Sequence, residues 1–379
     1  MDVITHIQGD EESGLTPLFL VHPISGVALP FLRLESLSEY DERPVYGITS
    51  PMHCPGGDKF KLPPSLKALA ALYVEEVRAV QAEGPYLLGG WSMGGMVAMF
   101  MAKQLEAEGD EVLKVIMIDS ANPEVFPSFS SAEEHREFAK ATFDRTVSVG
   151  GLQHLEAGDD HPAAVAAPGY ESEDDDDEHD DDDDDDDDDY GYPGSARERL
   201  SGVWRSASSS NTTVASSIFD QASPHMSDAS LLSPGCSSDD ESDFFFDDDC
   251  DCDSEALEAE EPSPLGDFVR QMRLHVHHGL ELIAGVEPGE LFAPGDALAP
   301  DAVLIKCTPE RVRVSGRFAD HEGVRLIEAV MGERAMRWDP ARFRSFRSVP
   351  FSGDHDGAFQ PRFVAELSAI LRTCIEDLE

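Results

Sequence analysis

Three things are scarce in this chain, and each scarcity closes a route. No apolar run approaches the roughly 20 residues that a membrane-spanning helix needs. The polar, acidic stretch Met1–Gly14 fits neither a signal peptide nor a transit peptide. Cysteine is limited to Cys54, Cys236, Cys250, Cys252, Cys307 and Cys374, which give no disulfide framework and lack the paired spacing of a zinc site. Basic residues are few, 28 Lys and Arg against 76 Asp and Glu, so the chain lacks the basic stripe that nucleic-acid binding requires. A soluble, cytoplasmic protein with reduced thiols is expected, with neither a membrane nor a nucleic acid as partner.

The net charge of −48 is concentrated rather than spread. Residues 171–261 hold 33 acidic and 3 basic residues, including an unbroken aspartate run from Asp180 to Asp189. Together with the Ser-rich stretches around it, this makes about 150–264 a low-complexity region. It has too little apolar surface to offset chain entropy, so disorder is expected there. The charge excess belongs to that segment and says little about the fold.

On either side the pattern is regular. Short apolar runs at Pro17–His22, Val45–Pro51, Tyr86–Trp91 and Val112–Ser120 read as strands. Between them, Leu66, Leu69, Tyr73, Val77 and Val80 recur at helical spacing behind Ser65, a suitable N-cap, and Gly94–Leu105 reads as another helix. Strands without polar alternation, separated by helices, imply a parallel sheet covered on both faces. The pattern stops near Asn122-Pro123. Helical stretches follow at Ala132–Phe143 and Leu265–Ala284, then strands at Ala302–Thr308 and Ser345–Phe351 and a closing helix at Phe359–Leu378. The expected division is residues 1–125 and 301–379 as two parts of one α/β core, with 126–300 as an insertion between its sixth and seventh strand-like segments.

Gly90-Trp91-Ser92-Met93-Gly94 matches G-x-S-x-G, the strand-to-helix turn of α/β-hydrolases. Three common residues recur by chance, so the context decides: here an apolar strand precedes the motif and a helix follows. A serine hydroxyl needs a base to become a nucleophile, and the fold's chain order is Ser, then Asp or Glu, then His. Asp119 ends the next buried strand, where an acid has no packing reason to be. His355 follows the last strand, in a loop able to reach back over the sheet edge. His22 and His53 precede the serine, and chain order disfavours both. The expected oxyanion donors are the backbone N–H of Met93 and one N–H from the loop His22–Gly26, most simply that of Ile24.

Four segments together, Phe19–Gly26, Val45–Ile48, Gly84–Gly95 and Gly353–His355, resemble the chain-releasing thioesterase domains of nonribosomal peptide and polyketide synthases. The resemblance covers about 120 N-terminal and 80 C-terminal residues. It implies an acyl-enzyme on Ser92, formed from a phosphopantetheine thioester on an acyl- or peptidyl-carrier protein, with no cofactor of the enzyme's own. It also implies that 126–300 acts as a lid over the acyl pocket, although the acidic run has no counterpart in the family pattern. No carrier domain is present, and Met1 favours a free-standing enzyme acting in trans. A general carboxylesterase or a cyclase would use the same triad. An inactive hydrolase fold serving as an acidic interaction module is the reading from another class.

Two further features invite a role. From Arg311 to Arg347 nine arginines face five acids, a local excess to which an acidic carrier is expected to dock. His275, His277 and His278 suggest a metal, but no fixed carboxylate or cysteine completes a site nearby, so no metal is expected.

Overall fold

The computed structural model describes residues 2–38, 40–150, 264–309 and 322–376. The acidic low-complexity region and the first part of the arginine-rich stretch, residues 310–321, lie outside these described residues.

Seven strands form one sheet: β1 (Ile4–Gln8), β2 (Leu18–Val21), β3 (Val45–Ile48), β4 (Tyr86–Trp91), β5 (Val112–Ile118), β6 (Asp301–Lys306) and β7 (Phe346–Pro350). Their order is β1-β3-β2-β4-β5-β6-β7, parallel throughout except for β1, which pairs antiparallel with β3. This is the α/β-hydrolase fold, a mostly parallel sheet flanked by helices. The described helices are α1 (Leu66–Val80), α2 (Met93–Glu108), α3 (Ala132–Gly150), α4 (Pro264–Ala284), α5 (Glu322–Gly332) and α6 (Pro361–Glu376).

The central strands are buried on both sides, as their largely apolar runs require. Alternate residues feed two cores. Phe19, Val21, Leu88, Val115, Met117 and Leu304 pack with α1 and α2. Leu18, Leu20, Leu87, Ile116, Ile118, Val303 and Ile305 pack on the other side with Phe31 and with Leu367 and Leu371 of α6. Ser65 caps α1, its hydroxyl accepting from the Ala68 N–H at 3.1 Å.

The structure adds β1 and α5 to the expected elements. A register shift between His6 and Gln8 leaves Ile7 bulged, so β1 shows no clean two-residue period. The segment that holds the acidic region runs from the fifth strand to the sixth, rather than from the sixth to the seventh. α3 and α4, the described helices of that segment, pack through Phe143 and Val147 against Met272 and Val276.

Candidate active site

Ser92 lies between β4 and α2 with φ 57° and ψ −123°, a strained conformation for any residue with a Cβ. The glycines around it are required by close approach. A Cβ on Gly90 would meet the Gly94 carbonyl carbon at 2.3 Å, and one on Gly94 would lie 2.1 Å from the Val21 carbonyl oxygen. On Gly95 it would lie 2.1 Å from the Ser120 hydroxyl. Strand, helix and first loop therefore converge at one point only if these positions carry no side chain. The Ser92 N–H donates to the Ile118 carbonyl at 2.9 Å, fixing the turn to β5.

Asp119 follows β5 directly, also at positive φ (46°), with its own N–H donating to the Ile305 carbonyl at 2.8 Å. Its carboxylate is fully enclosed. Oδ2 lies 2.7 Å from His355 Nδ1, and His355 Nε2 lies 3.0 Å from Ser92 Oγ. The three residues singled out from sequence thus form one continuous hydrogen-bonded chain across separations of 236 and 263 residues. The His355 loop is pinned from both ends. The Thr308 N–H donates to the Gly353 carbonyl at 2.9 Å, and Arg145 of α3 pairs with Asp356, its Nε lying 2.6 Å from Oδ2.

The other Asp119 oxygen, Oδ1, accepts from Lys306 Nζ at 3.1 Å and from the Cys307 N–H at 3.0 Å. Lys306 Nζ also donates to the Cys307 carbonyl at 2.7 Å. The sequence reading passed over this lysine, although a lysine inside an apolar strand was a visible signal. Burial would push the Asp119 carboxyl up. The His355 hydrogen bond and the charges of His355 and Lys306 outweigh it and hold the carboxyl below the usual carboxylate range. Burial would likewise lower His355, but the hydrogen bond and negative charge of Asp119 win and raise it above its ordinary value.

A test follows for Lys306. Its positive charge offsets part of the Asp119 field at the imidazole, so Lys306→Met should raise the His355 pKa further. The acid limb of kcat/KM then moves to higher pH than in wild type. A lysine that only fills space would lower activity at every pH and leave that midpoint in place.

Met93 opens α2 and Ile24 lies in the loop after β2, the positions expected for oxyanion donors. Neither N–H donates to a backbone carbonyl in the turns and loops among the described residues. Their side chains converge on Gly279 of α4, where a Cβ would lie 3.0 Å from Ile24 Cγ1 and 3.1 Å from Met93 Sδ. The Ile24 carbonyl is in turn held by His275 Nδ1 of α4 at 2.9 Å.

Three imidazoles pack around this loop. His22 Nε2 lies 2.6 Å from the Tyr73 hydroxyl and its Nδ1 2.7 Å from the Pro23 carbonyl. His53 Nε2 lies 3.0 Å from the Ser25 carbonyl, and the His275 ring is 5.0 Å from that of His22. The hydrogen bonds of His22 and His53 go to the loop and to α1 rather than to Ser92. Burial lowers both to about 4.

Their effect on stability has a definite sign. A histidine whose folded pKa lies below its unfolded value of about 6.5 contributes fully above that pH and loses its contribution as pH falls. Tm should therefore drop between about pH 6.5 and 4, and the slope should be shallower in His53→Gln. Identical slopes would mean that His53 takes up its proton in the native protein as readily as in the unfolded chain.

Sheet order, elbow and the Ser92–His355–Asp119 chain together place the protein in the α/β-hydrolase class. Comparison with known proteins gives the particular family. The thioesterase-domain family pattern matches residues 16–158. The thioesterase pytI of Aspergillus terreus is 32% identical over the whole of both chains. The non-reducing polyketide synthase crz7 of Cladonia metacorallifera is 40% identical over 121 residues, 32% of this chain and 6% of that protein. Among solved structures, a four-domain nonribosomal peptide synthetase bound to AMP and glycine aligns with 98% of this chain and 20% of its own. Its TM-score is 0.51 at 16% identity, a likeness of fold. The chain belongs to the thioesterase family and is an enzyme of that hydrolase group.

Proposed function

We propose that the chain is a serine thioesterase of secondary metabolism, cleaving an acyl, polyketide or peptidyl thioester from the phosphopantetheine arm of a carrier protein. The observation that carries this reading is the pair of contacts at His355, 3.0 Å to Ser92 Oγ and 2.7 Å to Asp119 Oδ2. Ser92 Oγ attacks the thioester carbonyl carbon while His355 Nε2 takes its proton. Asp119 keeps the remaining imidazole hydrogen on Nδ1 and stabilises the imidazolium. The oxyanion is received by the N–H groups of Met93 and Ile24, each such donor being worth about 3–4 kcal/mol in comparable sites. Collapse breaks the C–S bond, and the pantetheine thiol leaves with the proton from His355. Water, activated by the same histidine, then hydrolyses the acyl-serine.

The carrier partner is inferred from synthase relatives such as crz7. No helix among the described residues is long and apolar enough to cross a membrane. A carboxylesterase would share the triad, so the leaving group decides between them. The same acyl chain offered as a pantetheine thioester and as a simple alkyl ester should give a kcat/KM at least about tenfold higher for the thioester, a difference of about 1.4 kcal/mol in transition-state binding. The reverse order would assign the site to general ester hydrolysis.

A further inference from the structure

A second constellation lies away from the triad, where α3 and α4 pack together. His135 of α3 and His277 and Glu281 of α4 each offer one ligand atom, and all three atoms lie within 4.8 Å of one another. His135 Nδ1 is 3.5 Å and His277 Nδ1 3.8 Å from the same carboxylate oxygen, Glu281 Oε1. Bonds of about 2.0–2.1 Å to a tetrahedral zinc ion imply ligand separations of roughly 3.3–3.5 Å, so each imidazole stands within a few tenths of an ångström of that spacing from the Glu281 oxygen. His277 and Glu281 are four residues apart and share one helix face.

The arrangement of His135 makes this more than proximity. Its Nε2 lies 2.9 Å from the backbone carbonyl of His277. A carbonyl only accepts, so Nε2 carries the hydrogen and Nδ1 is the atom turned towards the Glu281 carboxylate. The two donors face each other at 3.5 Å, and a cation between them would bond to both. A backbone acceptor that fixes the imidazole tautomer from behind is also the usual second partner of a metal-bound histidine. The ring is held further by Phe129, at 4.7 Å between centroids, and its side chain is only 8% exposed. His278 Nδ1, 3.2 Å from Glu281 Oε2, steadies the carboxylate from the solvent side.

We propose that His135, His277 and Glu281 form a binding site for a transition-metal dication, zinc by donor chemistry, that ties α3 to α4. Two imidazoles and one carboxylate suit zinc, copper or nickel; calcium and magnesium take oxygen ligands. The fourth position is left to water. In sequence the site is concealed because His135 stands 142 residues before His277, and nothing but the fold brings it to Glu281. The site acts on the helix that also holds Ile24 through His275 and meets Met93 at Gly279, so the ion would fix the element in contact with the oxyanion loop.

The test is titration calorimetry of the chelator-treated full chain with zinc chloride, wild type beside Glu281→Gln, His277→Gln and His135→Gln. Glu281 and His277 are 50% and 37% exposed, so replacing them leaves the core intact if the buried His135 variant fails to fold. Wild type should show one tight step per chain, weakened at least about tenfold in each variant and insensitive to millimolar magnesium. Weaker binding by the acidic run would persist in all four proteins. Isotherms of wild type and Glu281→Gln that coincide, or a wild type with no tight step, would overturn the proposal.

Discussion

Replacing Ser92 with alanine should lower kcat for acyl-pantetheine hydrolysis by about 10⁵–10⁶-fold, and His355→Ala should do nearly the same. The two losses should not multiply. Nucleophile and base work as one unit: without Oγ there is nothing for His355 Nε2 to deprotonate, and without the imidazole the hydroxyl stays a poor nucleophile. The Ser92→Ala/His355→Ala double variant should therefore be no slower than the worse single variant. Residual rate above the uncatalysed reaction comes from Met93, Ile24 and substrate binding. Both side chains are partly accessible, so Tm should stay close to wild type in all three proteins. Kinetics and thermal melts of the four chains check this, and multiplicative losses would mean that Ser92 and His355 act in separate steps.

Asp119→Asn should cost about 10⁴-fold in kcat, because the amide cannot hold the imidazole in the productive tautomer or stabilise its charged form. In this protein it should also cost stability. Lys306 Nζ, buried beside Oδ1 at 3.1 Å, loses its counter-charge, and breaking one side of a buried pair is worth about 3–5 kcal/mol. Adding Lys306→Met to Asp119→Asn should recover much of that stability and none of the activity. Urea denaturation and kcat measured on wild type, both single variants and the double separate the two effects. Equal stability of wild type and Asp119→Asn would show that Lys306 does not depend on Asp119 for its charge balance.

Much of this site was legible because its determinants are local. Gly90, Gly94 and Gly95 can be read from a short motif, although only the approach of Gly90 to Gly94 lies within the turn, and what Gly94 and Gly95 approach, Val21 and Ser120, comes from other segments. Asp119 stood out as an acid at the end of an apolar strand, and His355 by its place after the last one. Central strands such as β4 and β5 were legible because burial on both faces leaves mostly apolar residues, Lys114 of β5 being the exception. What depended on partners far along the chain was not. β1 is a bulged edge strand whose sequence, Ile4–Gln8, gives no clean alternation. Lys306 makes sense only once Asp119 is beside it. The pairing of Arg145 with Asp356 spans 211 residues, and that of His275 with the Ile24 carbonyl spans 251. Cooperation of this kind leaves no spacing to read, because the connecting chain carries no constraint on its length.

The central claim is an acyl group carried on Ser92. Acid quenching of an acyl-pantetheine reaction during turnover, followed by mass spectrometry of the peptides, tests it directly. The account predicts the acyl mass on the peptide containing Ser92, its disappearance as substrate is exhausted, and its absence from Ser92→Ala. Turnover at the wild-type rate with no acyl group on that peptide, or an acylated and active Ser92→Ala, would contradict it.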